Sequence, residues 1–246
     1  MANTNNVQWK RIFAEGAAIV VSILLAFAIE AWWNNYQDRA EEQGILLGLK
    51  SEFEQNLSLI ETEISYRNAV IRSILKIFDA SGMQSSINSE DLDELIGDVT
   101  WWSNIEYSRG AIDGLVQSGR LTLIANEELR RVLASIPSKY AHTTRAELND
   151  RETTVGVIIP FLNTHASLSQ IANTMAKGRP GTRLQPTPPV YPAGEWQDHS
   201  ALLGDTEFMG TLVQEHWNHL EAIRDYKSLK GVLENSIRLI NHELKN

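Results

Sequence analysis

The stretch that decides the architecture is Trp9-Lys-Arg-Ile-Phe-Ala-Glu15-Gly-Ala-Ala-Ile-Val-Val-Ser-Ile-Leu-Leu-Ala-Phe-Ala-Ile-Glu30-Ala-Trp-Trp33. From Gly16 to Ile29 it carries no charge over fourteen residues. Three kinds of segment look like this. Lys10 and Arg11 before the apolar run, with Ala26-Phe27-Ala28 behind it, fit a cleaved signal peptide, but Glu15 interrupts the start of the run. Fourteen residues would also suit a buried core helix, which leaves the flanking tryptophans unexplained. Trp9 and Trp32 are 23 positions apart, ~34 Å along a helix. Aromatic belts on either side of a ~30 Å hydrocarbon layer have that separation. We therefore expect a membrane helix over residues 12–33, with the bilayer as partner and Trp9, Lys10, Arg11, Trp32 and Trp33 as interface anchors.

Lys10 and Arg11 precede the span, whereas Asp38, Arg39, Glu41 and Glu42 come after it. The positive-inside rule then gives a short cytoplasmic tail over 1–11 and places 34–246 outside. No later run is long and apolar enough to return; Val155 to Leu162 is the best and is too short. Glu30 falls at the interface. Glu15 lies closer to the bilayer centre, where an ionised acid costs ~2.5–3.5 kcal/mol. Arg11, four residues earlier, stands on its face and can carry it to the interface as an ion pair. Alternatively, Glu15 and Glu30 mark an assembly or ion site. Ala14, Ala18, Ser22 and Ala26 recur every fourth residue, a small-residue row that lets two membrane helices pack closely. We expect self-association through that row, and hence a homo-oligomer.

The composition suits a globular remainder. Of 246 residues, 43% are hydrophobic and 22% charged, which excludes wholesale disorder. Without cysteine there is no disulfide framework and no thiolate chemistry. The four charges of residues 1–33 cancel, so the net −9 belongs to the outer part, and no basic face for nucleic acid is expected.

Beyond Trp33, Ile45, Leu46, Leu49, Phe53, Leu57, Ile60, Ile64, Ile71, Ile74, Leu75 and Phe78 step by threes and fours, the period of a helix. Glu42, Lys50, Glu52, Glu54, Glu61, Glu63 and Arg67 are read as its solvent face. No proline precedes Ser81, so the span is expected to run on as one rod until Asp79-Ala-Ser-Gly82 stops it. Ser89 reads as the N-cap of a short helix to about Ile96, with Glu90, Asp91 and Asp93 in its first turn. A helix from about Asn104 to Gln117 should close at Ser118-Gly119, and Asn126 should cap the next. Pro137 and Pro160 should kink or break the helical stretch after Asn126. Residues 177–192 hold five of the seven prolines and read as an extended loop. Asp205 should cap a final helix with an apolar stripe from Phe208 through Leu220 to Leu244.

Two segments carry a resemblance. Glu15 to Trp33 with the charged helix after it, and Gly114-Leu-Val-Gln-Ser-Gly-Arg-Leu-Thr-Leu-Ile-Ala-Asn-Glu-Glu-Leu-Arg130, resemble a bacterial family of uncharacterised single-pass inner-membrane proteins. The resemblance covers about a fifth of the chain. It implies an inner-membrane protein with a helical, periplasmic outer domain, and no catalytic residues.

Chemistry-bearing motifs are sparse. Ser73 and Lys76 have Ser-x-x-Lys spacing but lack the companion Lys-Thr-Gly. His216 and His219, beside Glu215, are read as polar-face histidines, since helical metal sites draw paired ligands from several helices. Trp101 and Trp102 are either core filling or a binding surface. We expect an all-α protein, a membrane helix continuing into an elongated bundle, with no catalytic residues, metal or cofactor. The expected function is a membrane-anchored scaffold that binds its own copies or another envelope protein. The alternatives are an oligomeric channel using Glu15 and a ligand-sensing module.

Overall fold

The computed structural model describes residues 5–82, 87–175, 191–192 and 194–245. The proline-rich loop expected over 177–192 lies, except for Tyr191 and Pro192, outside the described residues, as does the side chain of Lys10. Among the described residues all regular structure is helical. Helix α1 runs without a break from Asn5 to Gly82, 78 residues, about 117 Å at ~1.5 Å per residue. Residues 11–41 are exposed along it, Ile12, Phe13, Val20, Leu24, Phe27 and Trp32 among them. From Glu42 onward one face is buried. Among the described residues, one helix is long and apolar enough to cross a membrane.

The bundle is built on α1, α4 (Glu127–Thr153) and α7 (Thr206–Glu243). Near the anchor, Leu46, Leu49, Phe53 and Ile60 of α1 pack with Leu129, Leu133 and Tyr140 of α4 and with Tyr226, Leu233 and Ile240 of α7. Farther out, Val70, Ile74 and Ile77 of α1 and Phe208 and Leu212 of α7 join a second cluster. Thus α4 runs parallel to α1 and α7 runs back against both. The second cluster is completed by α2 (Ser89–Val99), α5 (Ile159–His165) and α6 (Leu168–Met175), while α3 (Gly110–Gln117) packs on the first.

Local rules explain most boundaries. Asn126 Oδ1 accepts from Leu129 N at 2.9 Å and Asp205 Oδ1 from Phe208 N at 2.8 Å, capping α4 and α7 as their sequences indicate. Gly119 takes φ 72, a left-handed turn that frees the chain from α3 into a 3-10 turn over Arg120–Leu123.

Several expectations are corrected. The cap of α2 is Asn88, not Ser89, because Asn88 Oδ1 takes Asp91 N at 2.8 Å, and the helix continues to Val99. Asp93 is buried rather than spread along the first turn in water. It accepts from Gln170 Nε2 at 2.6 Å and lies 2.6 Å from His199 Nδ1. His199 Nε2 accepts from Ser167 N at 2.9 Å, so both ring nitrogens are engaged in pinning the approach to α7.

Helix α3 starts at Gly110, not Asn104. The preceding backbone is claimed by α1: Asn56 accepts from Ser108 N at 3.0 Å and donates to Ser108 O at 2.7 Å. Glu52 accepts from Ala111 N at 2.7 Å and Ile112 N at 3.1 Å, holding the start of α3. Pro137 sits inside α4 without ending it, with Leu133, Ile136 and Tyr140 buried around it. Pro160 is felt differently. The helix path passes through a π-turn over Thr154–Ile158 and resumes with Pro160 in the first turn of α5, where its missing N–H is tolerated. Leu75 and Leu220 are exposed rather than in their stripes.

The largest correction concerns α1. Glu42, Glu52, Glu63 and Arg67 are buried, not solvated. Glu42 accepts from Ala125 N at 2.6 Å and Glu52 caps α3. Glu63 and Arg67 belong to a buried charged layer shared by all three long helices.

Candidate functional site

Each bundle helix has a buried stripe that turns from apolar to ionisable at the same level. On α1 it reads Ile60, Glu63, Arg67, Val70; on α4, Tyr140, Thr143, Glu147, Asp150; on α7, Leu212, Glu215, His219, Tyr226. Steps of three, four and seven keep each set on one face. The three faces meet between the two apolar clusters, where Arg67, Asp150, Glu215 and His219 are each 0% exposed.

Arg67 is the hub. Its Nε lies 3.0 Å from Glu63 Oε1 and its Nη1 3.1 Å from Asp150 Oδ2. Nη1 also donates to His219 Nδ1 at 3.0 Å, and Nη2 to Ser103 O at 3.5 Å. The guanidinium stands 5.5 Å from the centre of the Tyr226 ring, and Tyr226 donates its hydroxyl to Glu147 Oε1 at 2.6 Å. Ser103 donates to Glu63 Oε2 at 2.8 Å. Since arginine only donates, His219 Nδ1 is an acceptor, and the neutral ring carries its proton on Nε2. Glu215 is oriented by Asn218 Nδ2 at 3.2 Å and Thr154 Oγ1 at 3.5 Å, and Asn218 also donates to Thr153 Oγ1 at 2.9 Å.

Burial sets the electrostatics. Loss of water works against the Arg67 charge, but Asp150 and Glu63 outweigh it and hold the guanidinium above its ordinary value. Burial pushes Asp150 up to about 7, helped by its contact with Glu215 and opposed by Arg67. Burial also raises Glu215 and pushes Glu147 up to about 7. His219 is driven down to about 4, chiefly by burial, despite Asp150. The layer thus holds more carboxyl groups than one arginine neutralises, beside a neutral histidine.

The residues singled out in the sequence lie elsewhere. Ala14, Ala18, Ser22 and Ala26 line one exposed face of α1, where Ser22 donates to Ala18 O at 2.8 Å. Arg11 and Glu15 form an ion pair at 3.0 Å. Glu30, Trp9, Trp32 and Trp33 are exposed, and Trp32 and Trp33 stack on Tyr36 with ring centres 6.2 and 5.9 Å apart. Trp33 precedes Glu63 by ~45 Å of helix, so anchor and charged layer are separate. Trp101 and Trp102 are half-buried. They line a groove of about 440 Å³ with Tyr66, Ser103 and Glu63, and Arg151 stands 5.1 Å from the Trp102 ring centre. Ser73 is buried and donates to Asp98, so no free nucleophile stands there.

The expectation for the histidines is corrected as well. His219 is buried, not on a polar face, and its partner on α7 is Glu215 rather than His216. The usable signal is the four-residue spacing of Glu215 and His219; Asp150 carries no local signal beyond its place on the α4 stripe. Comparison of the chain with protein-family models, with curated proteins and with solved structures returns no match.

Proposed function

We propose that this chain is a single-pass, membrane-anchored and non-enzymatic assembly protein that holds a helical bundle outside a bacterial inner membrane. The observation that carries the reading is the unbroken α1, in which an exposed apolar segment continues directly into the buried face of the bundle. A jointless helix couples the bundle rigidly to the apolar segment, which suits a scaffold better than a tethered catalyst. Lys10 and Arg11 favour a cytoplasmic N-terminus and a periplasmic bundle. The pairing of Glu15 with Arg11 favours an anchor over an ion path. The partners are then a second copy, through Ala14, Ala18, Ser22 and Ala26, or another envelope protein.

Single cysteines in a chain that has none test this directly. Ala18→Cys should form disulfide-linked dimers in native membranes, Val20→Cys on the opposite face should not, and Ala18→Leu should abolish self-association. Equal cross-linking at both positions, or a strict monomer, ends the scaffold reading.

A further inference from the structure

We propose that Asp150, Glu215 and His219 form a site for one divalent transition-metal ion, with zinc the best-fitting probe. Their ligating atoms lie within 4.8 Å of one another, and all three side chains are fully buried. His219 Nε2 is 3.3 Å from Glu215 Oε1 and 3.8 Å from Asp150 Oδ1. Ligands ~2.0–2.2 Å from a tetrahedral zinc sit ~3.3–3.6 Å apart, so a small closure brings the three into range.

A second observation concerns the atoms that face one another. Asp150 Oδ1 and His219 Nε2 are buried without a hydrogen bond, and, unlike Asp150 Oδ2, Glu63 Oε1 and Arg67 Nε, which also lack one, they are not held in a guanidinium ion pair at 3.0–3.1 Å. Glu215 and His219 come within ion-pair distance of one another.

The donor set fits. One imidazole and two carboxylates suit a borderline cation such as zinc or cobalt(II), whereas calcium and magnesium favour all-oxygen shells. The supporting contacts a metal site needs are present: Asn218 and Thr154 orient Glu215, and Arg67 holds Asp150 through its other oxygen. Charge argues the same way. Glu63, Asp150 and Glu215 face a single arginine in a dry layer, and a divalent ion neutralises the excess that burial makes costly. Arg67 sets the condition of binding. A neutral imidazole that binds metal through Nε2 carries its proton on Nδ1, so binding requires the ring to change tautomer and Arg67 to leave Nδ1 while keeping Asp150 Oδ2 and Glu63 Oε1. The competing occupant is a proton shared between the carboxyl groups.

The test uses the full chain in mild detergent, expressed in zinc-supplemented medium so that metal can enter during folding. Metal analysis should find about one zinc per chain, reduced at least tenfold in Glu215→Gln and unchanged in His216→Gln. Expression with cobalt should give the wild type visible bands of a low-symmetry site of nitrogen and oxygen ligands. Wild type without stoichiometric zinc, or zinc uptake indifferent to Glu215→Gln, overturns the proposal in favour of the shared proton. Should Glu215→Gln lose its helical circular dichroism, the wild-type cobalt spectrum decides alone: bands support the site and their absence overturns it.

Discussion

Glu147→Gln should make the bundle less sensitive to alkali. Glu147 is 5% exposed, accepts the Tyr226 hydroxyl at 2.6 Å, and is pushed up to about 7 by burial from 4.5. A folded-state value above the unfolded one means that the native protein binds this proton more tightly. The resulting stability is fully present below the unfolded value and is lost as pH rises through about 7. Between pH 5.5 and 8.5 the loss from this group is ~2 kcal/mol, a tenfold change in proton affinity being worth ~1.4 kcal/mol. For a bundle of this size that is ~4–8 °C in melting temperature. Glutamine keeps an acceptor for Tyr226 but cannot ionise. Thermal unfolding monitored by circular dichroism at the two pH values, at fixed ionic strength, gives the assay. Other buried acids titrate in the same range, so the informative quantity is the difference in pH dependence between wild type and variant. If Glu147→Gln loses as much stability as wild type on going to pH 8.5, the buried, proton-holding Glu147 is refuted.

Two further outcomes are expected. Arg67→Met strands Glu63 and Asp150 without their cation and should cost ~3–5 kcal/mol in urea unfolding; a loss below ~1 kcal/mol, about a surface pair's worth, would mean that Arg67 is not the hub of the layer. Glu52→Ala removes the acceptor for Ala111 N and Ile112 N and should cost ~1–2 kcal/mol, as loss of a helix cap does. Hydrogen exchange should rise first at those two amides, and uniform exchange across α3 would contradict the capping role.

Much of this fold is legible in periodicity and caps. The apolar steps of α1 and α7, Asn126, Asp205 and the Gly119 turn each obey a local rule, and each element stands near its expected place. What periodicity misses is the meaning of charge. Glu42, Glu52, Glu63 and Arg67 alternate with apolar residues in a way that reads as a solvated face. A helix packed against several neighbours keeps only a narrow solvated face, here with Glu54 and Glu61, and its other carboxylates serve as caps and ion-pair partners for distant segments. Nothing local announces that Ala111, Ala125 and Ser108 will arrive with unpaired backbone groups. The start of α3 is hidden for the same reason, since Asn56 holds Ser108 out of the helix. The candidate site is the least legible part. Its residues come from three helices, and only those on the same helix, Glu63 with Arg67, Glu147 with Asp150 and Glu215 with His219, are close enough in sequence to suggest one another.

If one continuous helix crosses the bilayer and carries the bundle outside it, the two ends of α1 must lie on opposite sides of the membrane. Because the chain has no cysteine, single-cysteine labelling reads this without background. Glu221→Cys, exposed on α7, should react with a membrane-impermeant maleimide in intact spheroplasts, whereas Asn6→Cys should react only after permeabilisation. Protection of Glu221→Cys in intact spheroplasts, or labelling of Asn6→Cys without permeabilisation, would contradict it.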